Sequence, residues 1–306
     1  NQSRTPNSSI FPALPSALSF DYKREINRKN FLGTKGELAS AYANLLKKVW
    51  LGKETSTDPH LFKNKLEHFA PQFQGNFQHD AQEFLAFLLD GIHEDLNRVY
   101  ERPYIEEKDC DGTNDDNDSM LAWQNYLRRN KSIIVDLFQG QLKNTLTCRN
   151  EKHRRSDGTT GCGHKSVKFE AFMYLSLPIS EDTLTLDDCM TLFCREEYLT
   201  GDDRWYCSRC KERVVSTKKF DLWTLPPILI IHLKRFKYTE HGARSKINTK
   251  IRYPLNDWNL KDHVKSSRSD PSYFNLYATS NHVGDLGSGH YTAHALNRVD
   301  EEWYEF

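Results

Sequence analysis

The sequence has no surplus of either charge. Its 42 lysines and arginines are balanced by 42 aspartates and glutamates. A chain whose main partner is nucleic acid needs a basic excess to neutralise phosphates, so the balance argues against nucleic acid and against a zinc-ribbon nucleic-acid binder. Long apolar runs are missing as well. The longest strongly apolar one, "ILII" at 228–231, falls far short of the roughly 20 residues that cross a bilayer, which leaves no membrane partner. No basic segment followed by an apolar one opens the chain, and nothing suggests secretion. Cysteine is scarce and odd in number, seven in 306 residues. In a chain that is not secreted, this favours metal ligands and free thiols over disulfides. The expectation is a soluble monomer of the cytoplasm, the nucleus or both.

A hydrophobic content of 38% over 306 residues fits one elaborate domain or two small ones. Residues 1–21, rich in proline, serine and asparagine, read as a poorly ordered lead-in. "KGELASAYANLLKKVW" places Leu38, Tyr42, Leu45 and Val49 at helical spacing. The clearest helix spans 81–100, where Phe84, Leu85, Leu88, Leu89, Ile92, Leu96 and Val99 make one wide apolar face. Asp80, with Glu83 three residues on, has the form of a capping box at its start. The acidic, turn-rich stretch 106–119 reads as a mobile loop and lacks the ligand spacing of a calcium site. The second half changes character. "FEAFMYLSLPI" (169–179) and "LPPILIIHLKRF" (225–236) are strand-like, and "NLYATSNHVG" with "GHYTAHALN" frames a hairpin around a glycine-rich turn. Helices first and strands later predict an α+β fold.

Two constellations carry chemistry. Cys207 and Cys210 form a Cys-x-x-Cys knuckle in "RWYCSRCKE", suited to two thiolates on one zinc ion, which takes four tetrahedral ligands. Cys148 and Cys162 are the best second half-site, and His153 or His164 could replace one of them. Cys189 and Cys194, at helix-like spacing, read as core residues. The other constellation is "GDLGSGHYTA". His290 follows a glycine that permits close approach by a substrate, and it sits at the start of a strand that mounts it rigidly, as a general base requires. His282 and His294 compete for that role, and spacing excludes neither.

These motifs resemble one family. "QHDAQEFLAFLLDGIHEDLN" (78–97) resembles the glutamine-rich box of the ubiquitin-specific proteases. "LTCRN…CGHKS" with "WYCSRC" is similar to their zinc-binding fingers, and "LPPILIIHLKRF" to their central strand. "NLYATSNHVGDLGSGHYTAHALN…WYEF" is similar to their histidine box. The resemblance covers about residues 22–306, with the motifs in the family's order. It implies a papain-like cysteine protease fold with a helical thumb (22–130), fingers holding structural Zn2+ (131–220) and an antiparallel palm (221–306). Carried over by position, His290 is the general base, and Cys148, Cys162, Cys207 and Cys210 hold the zinc. Asp80, Glu83 and Tyr291 would line the channel for the ubiquitin tail, with the two carboxylates facing its arginines. The implied partners are ubiquitin and ubiquitinated proteins, and the implied reaction is hydrolysis after ubiquitin's C-terminal glycine.

The sequence departs from the family pattern in three places. The family's nucleophile lies in an "N-x-x-x-x-C" box before the position of Tyr22, yet no cysteine precedes Cys110. The third triad residue normally follows the "WYEF" run, where Phe306 is the last residue. The first finger knuckle is split by a basic segment, residues 149–161, between Cys148 and Cys162. Either the nucleophile and the third triad residue lie outside these 306 residues, or the protein is a non-catalytic ubiquitin-binding scaffold. The intact histidine box favours the first.

Overall fold

The spacing that predicts the first helix forms it. In α1 (Glu37–Leu51), Leu38 and Ala39 are buried with Phe62 and Leu66 of α2 (His60–Phe69). This computed structural model describes residues 22–52, 56–106, 109–153, 158–238, 244–267, 272–285 and 287–306. The expected lead-in over 1–21 lies outside the described residues. α3 (Ala81–Asp95) adds Leu88, Leu89 and Ile92 to the same core. It ends at Asp95 with Leu96 as its C-cap, short of the 81–100 expected from the apolar face. Asp95, fully buried, accepts hydrogen bonds from the Thr34 N–H (2.6 Å), the Thr34 hydroxyl (2.6 Å), the Gly36 N–H (3.0 Å) and the Ala39 N–H (3.1 Å). Gly36 is the N-cap of α1 and has no side chain to offer, so a carboxylate from the end of α3 caps α1 instead.

The acidic stretch 106–119 is not simply a loop. From Asp115 it is helical: α4 runs Asp115–Leu127 with Asp115, Asp116 and Asp118 in its first turn. Negative charge there complements the positive end of the helix dipole, and Lys143 pairs with Asp115. The high charge that suggested a loop is a helix start. α5 (Ile133–Phe138), capped by Ser132, brings Ile134 into the helical core.

Strands follow. β1 (Gly140–Cys148), β2 (Lys165–Phe172), β4 (Glu197–Leu199) and β7 (Ser216–Thr224) form an antiparallel sheet in the order β2-β1-β7-β4. β3 (Leu175–Leu177) pairs in parallel with β8 (Ile231–Leu233). β5 (Trp205–Cys207) and β6 (Glu212–Val214) make a short hairpin at the far end of the long sheet. β9 (Phe236–Tyr238) pairs with β10 (Arg244–Lys246), and β11 (Trp258–Asn259) with β12 (Tyr273–Phe274). β13 (Ala278–Gly284), β14 (Gly289–Leu296) and β15 (Trp303–Glu305) complete the antiparallel set.

Of the strand expected over 225–236, Ile231–Leu233 form β8 and Phe236 begins β9, while Pro226 and Pro227 at its start have no N–H to give a ladder. The one expected over 169–179 divides into β2 and β3 around Met173 and Tyr174. A second core joins Leu142, Phe172, Leu175, Leu177, Leu222 and Leu260 with Cys189 and Met190 of α6 (Leu186–Phe193). Cys189 is buried there and Cys194 packs against it, as expected of core thiols. Thus α6, within the 131–220 stretch assigned to fingers, packs with the later strands. No helix among the described residues is long and apolar enough to cross a membrane.

Candidate functional site

Successive side chains on a strand point to opposite faces, so pairing register decides which histidine faces where. In the β13–β14 hairpin Val283 lies opposite His290, and His282 opposite Tyr291. His290, Thr292 and His294 therefore share one face, while His282, Gly289 and Tyr291 share the other. The His282 ring packs 4.7 Å from Tyr291 and 5.4 Å from Phe236, the latter edge-on at 87°. Burial, and then the charge of Lys246, hold its pKa below the ordinary value. His294 is hydrogen-bonded at one nitrogen: Asn281 Nδ2 lies 2.9 Å from its Nδ1, while Glu305 Oε1 stands 3.9 Å from its Nε2, beyond hydrogen-bond distance. His290 is exposed to solvent. Of the three imidazoles, it is the one presented to an incoming group.

Gly289 has a different reason from the one its sequence suggested. A Cβ there would stand 2.1 Å from Nε2 of His282 and 2.9 Å from the Val283 carbonyl. The protein's own histidine occupies the space that was expected to admit a substrate. The Gly289 peptide is also held from the segment just before α3. Its N–H donates to Gln78 Oε1 at 2.8 Å, and its carbonyl accepts from Gln78 Nε2 at 3.1 Å. Two residues on, the Tyr291 hydroxyl accepts from the Ala81 N–H at 3.3 Å. The start of α3 and the start of β14 are thereby joined.

Asp80 is the N-cap of α3, its Oδ1 accepting from the Gln82 N–H at 2.7 Å. The reciprocal half of the expected capping box does not form, and Glu83 lies exposed in the first turn. Around Asp80 stand half-buried aromatic and imidazole groups that feel its charge. His232 of β8, 3.0 Å from Ser176 Oγ through Nδ1, has its pKa lowered by burial and partly restored by Asp80. Burial raises the pKa of the Tyr291 phenol, and Asp80 adds to that rise. The structure thus brings Asp80, Tyr291 and the mount of His290 to one junction, with Glu83 close by along α3.

The cysteine cluster lies elsewhere, where β1 meets the β5–β6 hairpin. The sulfurs of Cys148, Cys162, Cys207 and Cys210 all lie within 4.8 Å of one another. Cys148 and Cys210 are 3.8 Å apart, and Cys162 and Cys207 are 3.7 Å apart. Four sulfurs placed about 2.3 Å from a central zinc ion would be separated by roughly 3.8 Å, so the spacing fits a tetrahedral metal site. The acid–base chemistry fits as well. Burial, partly offset by a hydrogen bond with Asn150 and reinforced by the neighbouring thiols, pushes Cys210 up to about 12. Such crowding opposes full ionisation until a cation compensates it. His164 is not in the group: its Nε2 is 2.9 Å from Ser208 Oγ, and its ring stacks on Trp205 at 5.6 Å. His153 is absent from it too. The long basic connection closes through Gly161, at φ 114°, where a Cβ would fall 1.9 Å from the Cys148 carbonyl. Residues 154–157 of that connection lie outside the described residues.

One comparison decides the family. The family model described as "Ubiquitin carboxyl-terminal hydrolase" matches residues 10–306. The chain belongs to this family. Its members named for that activity are cysteine-type deubiquitinases, and the chain is a ubiquitin-specific protease domain by family. Ubiquitin carboxyl-terminal hydrolase 2 of Gallus gallus is 41% identical over 273 residues, covering 88% of this chain and 73% of that protein. The Homo sapiens protein of the same name is 40% identical over 273 residues, covering 88% of this chain but 43% of its own length. The chain therefore spans less than half of the human relative. Among solved structures, the SAGA Ubp8/Sgf11/Sus1/Sgf73 DUB module bound to ubiquitin aldehyde matches with a TM-score of 0.65 at 19% identity, over 95% of this chain and 58% of that one. The same module bound to monoubiquitin gives 0.65 at 20% identity, over 95% of this chain and 57% of that one. This likeness establishes the α+β papain-like fold of the ubiquitin-specific proteases.

Two residues of the junction were not assigned from sequence. Gln78 stood inside a recognised box without a role, since its partner is 211 residues away in the chain. Lys246 donates to the carbonyls of His282 (3.1 Å) and Gly284 (2.7 Å), fixing the hairpin turn from β10. Neither contact has a local sequence signature.

Proposed function

We propose that this chain binds ubiquitin and hydrolyses the isopeptide or peptide bond after its C-terminal glycine, with His290 as general base. The observation that carries this reading is the hairpin register. It leaves His290 open to solvent while His282 is half-buried against Tyr291 on the opposite face and His294 is hydrogen-bonded to Asn281.

In the reaction, His290 takes the proton of a cysteine thiol, and the thiolate attacks the carbonyl carbon of ubiquitin's last glycine. The tetrahedral oxyanion collapses to a thioester as His290 returns the proton to the leaving amine. Water, deprotonated by the same imidazole, then cleaves the thioester and restores the thiol. The nucleophile is not among the seven cysteines. Four form the finger cluster and Cys189 and Cys194 belong to the strand-side core, while Cys110 forms a backbone bridge to Val167 of the long sheet. The thiol then comes from outside residues 1–306. The third member of the triad has a natural position. Phe306 and Ala293 exchange backbone hydrogen bonds at 2.8 and 2.9 Å, so the next residue along would lie opposite Thr292 on the His290 face. A carboxylate or amide there is a diagonal neighbour of His290 and within reach of its ring.

Asp80, Glu83 and Tyr291 would receive the ubiquitin tail, the exposed Glu83 pairing with a tail arginine while Asp80 also caps α3. Cys148, Cys162, Cys207 and Cys210 would hold one structural Zn2+ that orders the finger tip. Seven cysteines, none of them in a disulfide, suit a reducing compartment, the cytoplasm or the nucleus, and the domain acts as a monomer.

The test is a titration with ubiquitin together with hydrolysis of a fluorogenic ubiquitin amide by the full-length protein and its His282→Ala, His290→Ala and His294→Ala variants. Saturable binding and selective loss of turnover in His290→Ala are expected. Activity lost in His294→Ala and kept in His290→Ala would show that the other imidazole is the base. Saturable binding with no turnover in the full-length wild type would assign a scaffold instead.

A further inference from the structure

The residue before His290 is gripped by a side chain that the proposed mechanism does not use. Gln78 accepts from the Gly289 N–H with its oxygen and donates to the Gly289 carbonyl with its nitrogen, at 2.8 and 3.1 Å. A primary amide making both bonds to one residue imitates a neighbouring β-strand, at the point where β14 has just left its turn. Gly289 cannot move toward β13, because the His282 ring fills the position of a Cβ at 2.1 Å. Nor can the strand rotate freely beyond it, since the Tyr291 hydroxyl is held by the Ala81 N–H at 3.3 Å. The two residues flanking His290 are thus both tied to the start of α3, on the thumb side, while nothing among the described residues hydrogen-bonds the His290 ring. We propose that Gln78 is a positioning residue for the reaction: it fixes the peptide that carries His290 relative to the thumb. This rests on the reading of His290 as the base.

A second use for Gln78, direct contact with the ubiquitin tail, makes a different prediction. Both amide groups are already committed to Gly289, so a substrate contact would have to break the clamp. A contact residue would change KM, whereas a clamp changes kcat through the placement of His290. Gln78 is exposed, so loss of its two bonds should alter global stability little. Misplacing a reacting group by about 1 Å, in contrast, costs on the order of 10²-fold in rate.

The experiment uses the full-length protein with Gln78→Met, which keeps the side-chain length and removes both bonds, and Gln78→Glu, which keeps the acceptor and loses the donor. Expected for Gln78→Met are a fall in kcat of about 10²-fold, a KM for the ubiquitin amide within about twofold of wild type, and an unchanged melting temperature. Gln78→Glu should fall between wild type and Gln78→Met. A readout independent of turnover is amide hydrogen exchange at Gly289. Its protection should drop about three- to tenfold in Gln78→Met and stay near wild type in Gln78→Glu, whose oxygen still accepts that N–H. NMR relaxation of the labelled His290 ring should show added mobility in Gln78→Met alone. A raised KM with kcat intact, or unchanged Gly289 exchange and His290 ring mobility, would overturn the proposal. Failure of the underlying reading is separable, because His290→Ala would then retain activity whatever Gln78 does.

Discussion

Gly289→Ala separates two accounts of that glycine by the sign of its effect. Gly289 is not among the glycines with positive φ, so its backbone is one that alanine adopts without strain. If the site were open, alanine would restrict the unfolded chain and stabilise the protein by about 0.4–1 kcal/mol. The geometry demands the opposite. The added methyl would lie 2.1 Å from His282 Nε2, 2.7 Å from its Cε1 and 2.9 Å from the Val283 carbonyl. The imidazole has little room to retreat, being packed between Tyr291 and Phe236 at 4.7 and 5.4 Å. Overpacking of this kind costs about 1–3 kcal/mol. Urea denaturation followed by intrinsic fluorescence measures it, as a lower midpoint at unchanged m-value. The second variant, His282→Ala/Gly289→Ala, removes the ring that the methyl strikes. It should be less destabilised than the sum of the two single variants by at least about 0.5 kcal/mol, the size of coupling expected for residues in contact. Full rescue is not expected, because the Val283 carbonyl remains. A Gly289→Ala protein as stable as wild type or more so, or strict additivity in the double variant, would refute the reasoning.

Metal analysis of the purified protein should give one zinc ion per chain, and Cys207→Ser should abolish it while loosening β5 and β6 before the helical core, as read by hydrogen exchange; absence of zinc from the native protein would remove the finger assignment. Stability should also fall on mild acidification. Burial lowers the pKa of His93, His232, His263 and His282 in the fold, whereas the unfolded chain titrates near the ordinary value of about 6.5. Below that value the unfolded state binds more protons, so the contribution of these histidines to unfolding free energy is constant above about pH 7 and declines from about 6.5 toward the lower folded pKa values. Urea midpoints taken across that window check it, and a midpoint that rises with acidification would contradict the burial argument.

Several features were legible along the chain because they depend on neighbours a few residues apart. The 3.6-residue spacing of Leu38, Tyr42 and Leu45 specifies an amphipathic helix wherever it is packed, and α1 follows it. The strand alternation on both sides of a glycine-rich turn specifies the β13–β14 hairpin, and a Cys-x-x-Cys pair can close on one metal by itself. Motif order was sufficient to recognise the family. Other features depend on groups that meet only after folding. The acidic run at 115–118 looks like a loop until it is seen as the first turn of α4 beside Lys143. Asp95, at the end of α3, caps the start of α1 through its carboxylate, a contact made across the core. The same holds for the histidines. Sequence placed His282, His290 and His294 near one turn, but the two-residue period of a paired strand packed the first against Tyr291 on the far face and gave the second to solvent. The third was left to the Asn281 amide on the same face. Local spacing is set by covalent geometry and can be read from the chain. Which face is covered, and which side chain from 211 residues away holds the peptide beside His290, is settled only by packing.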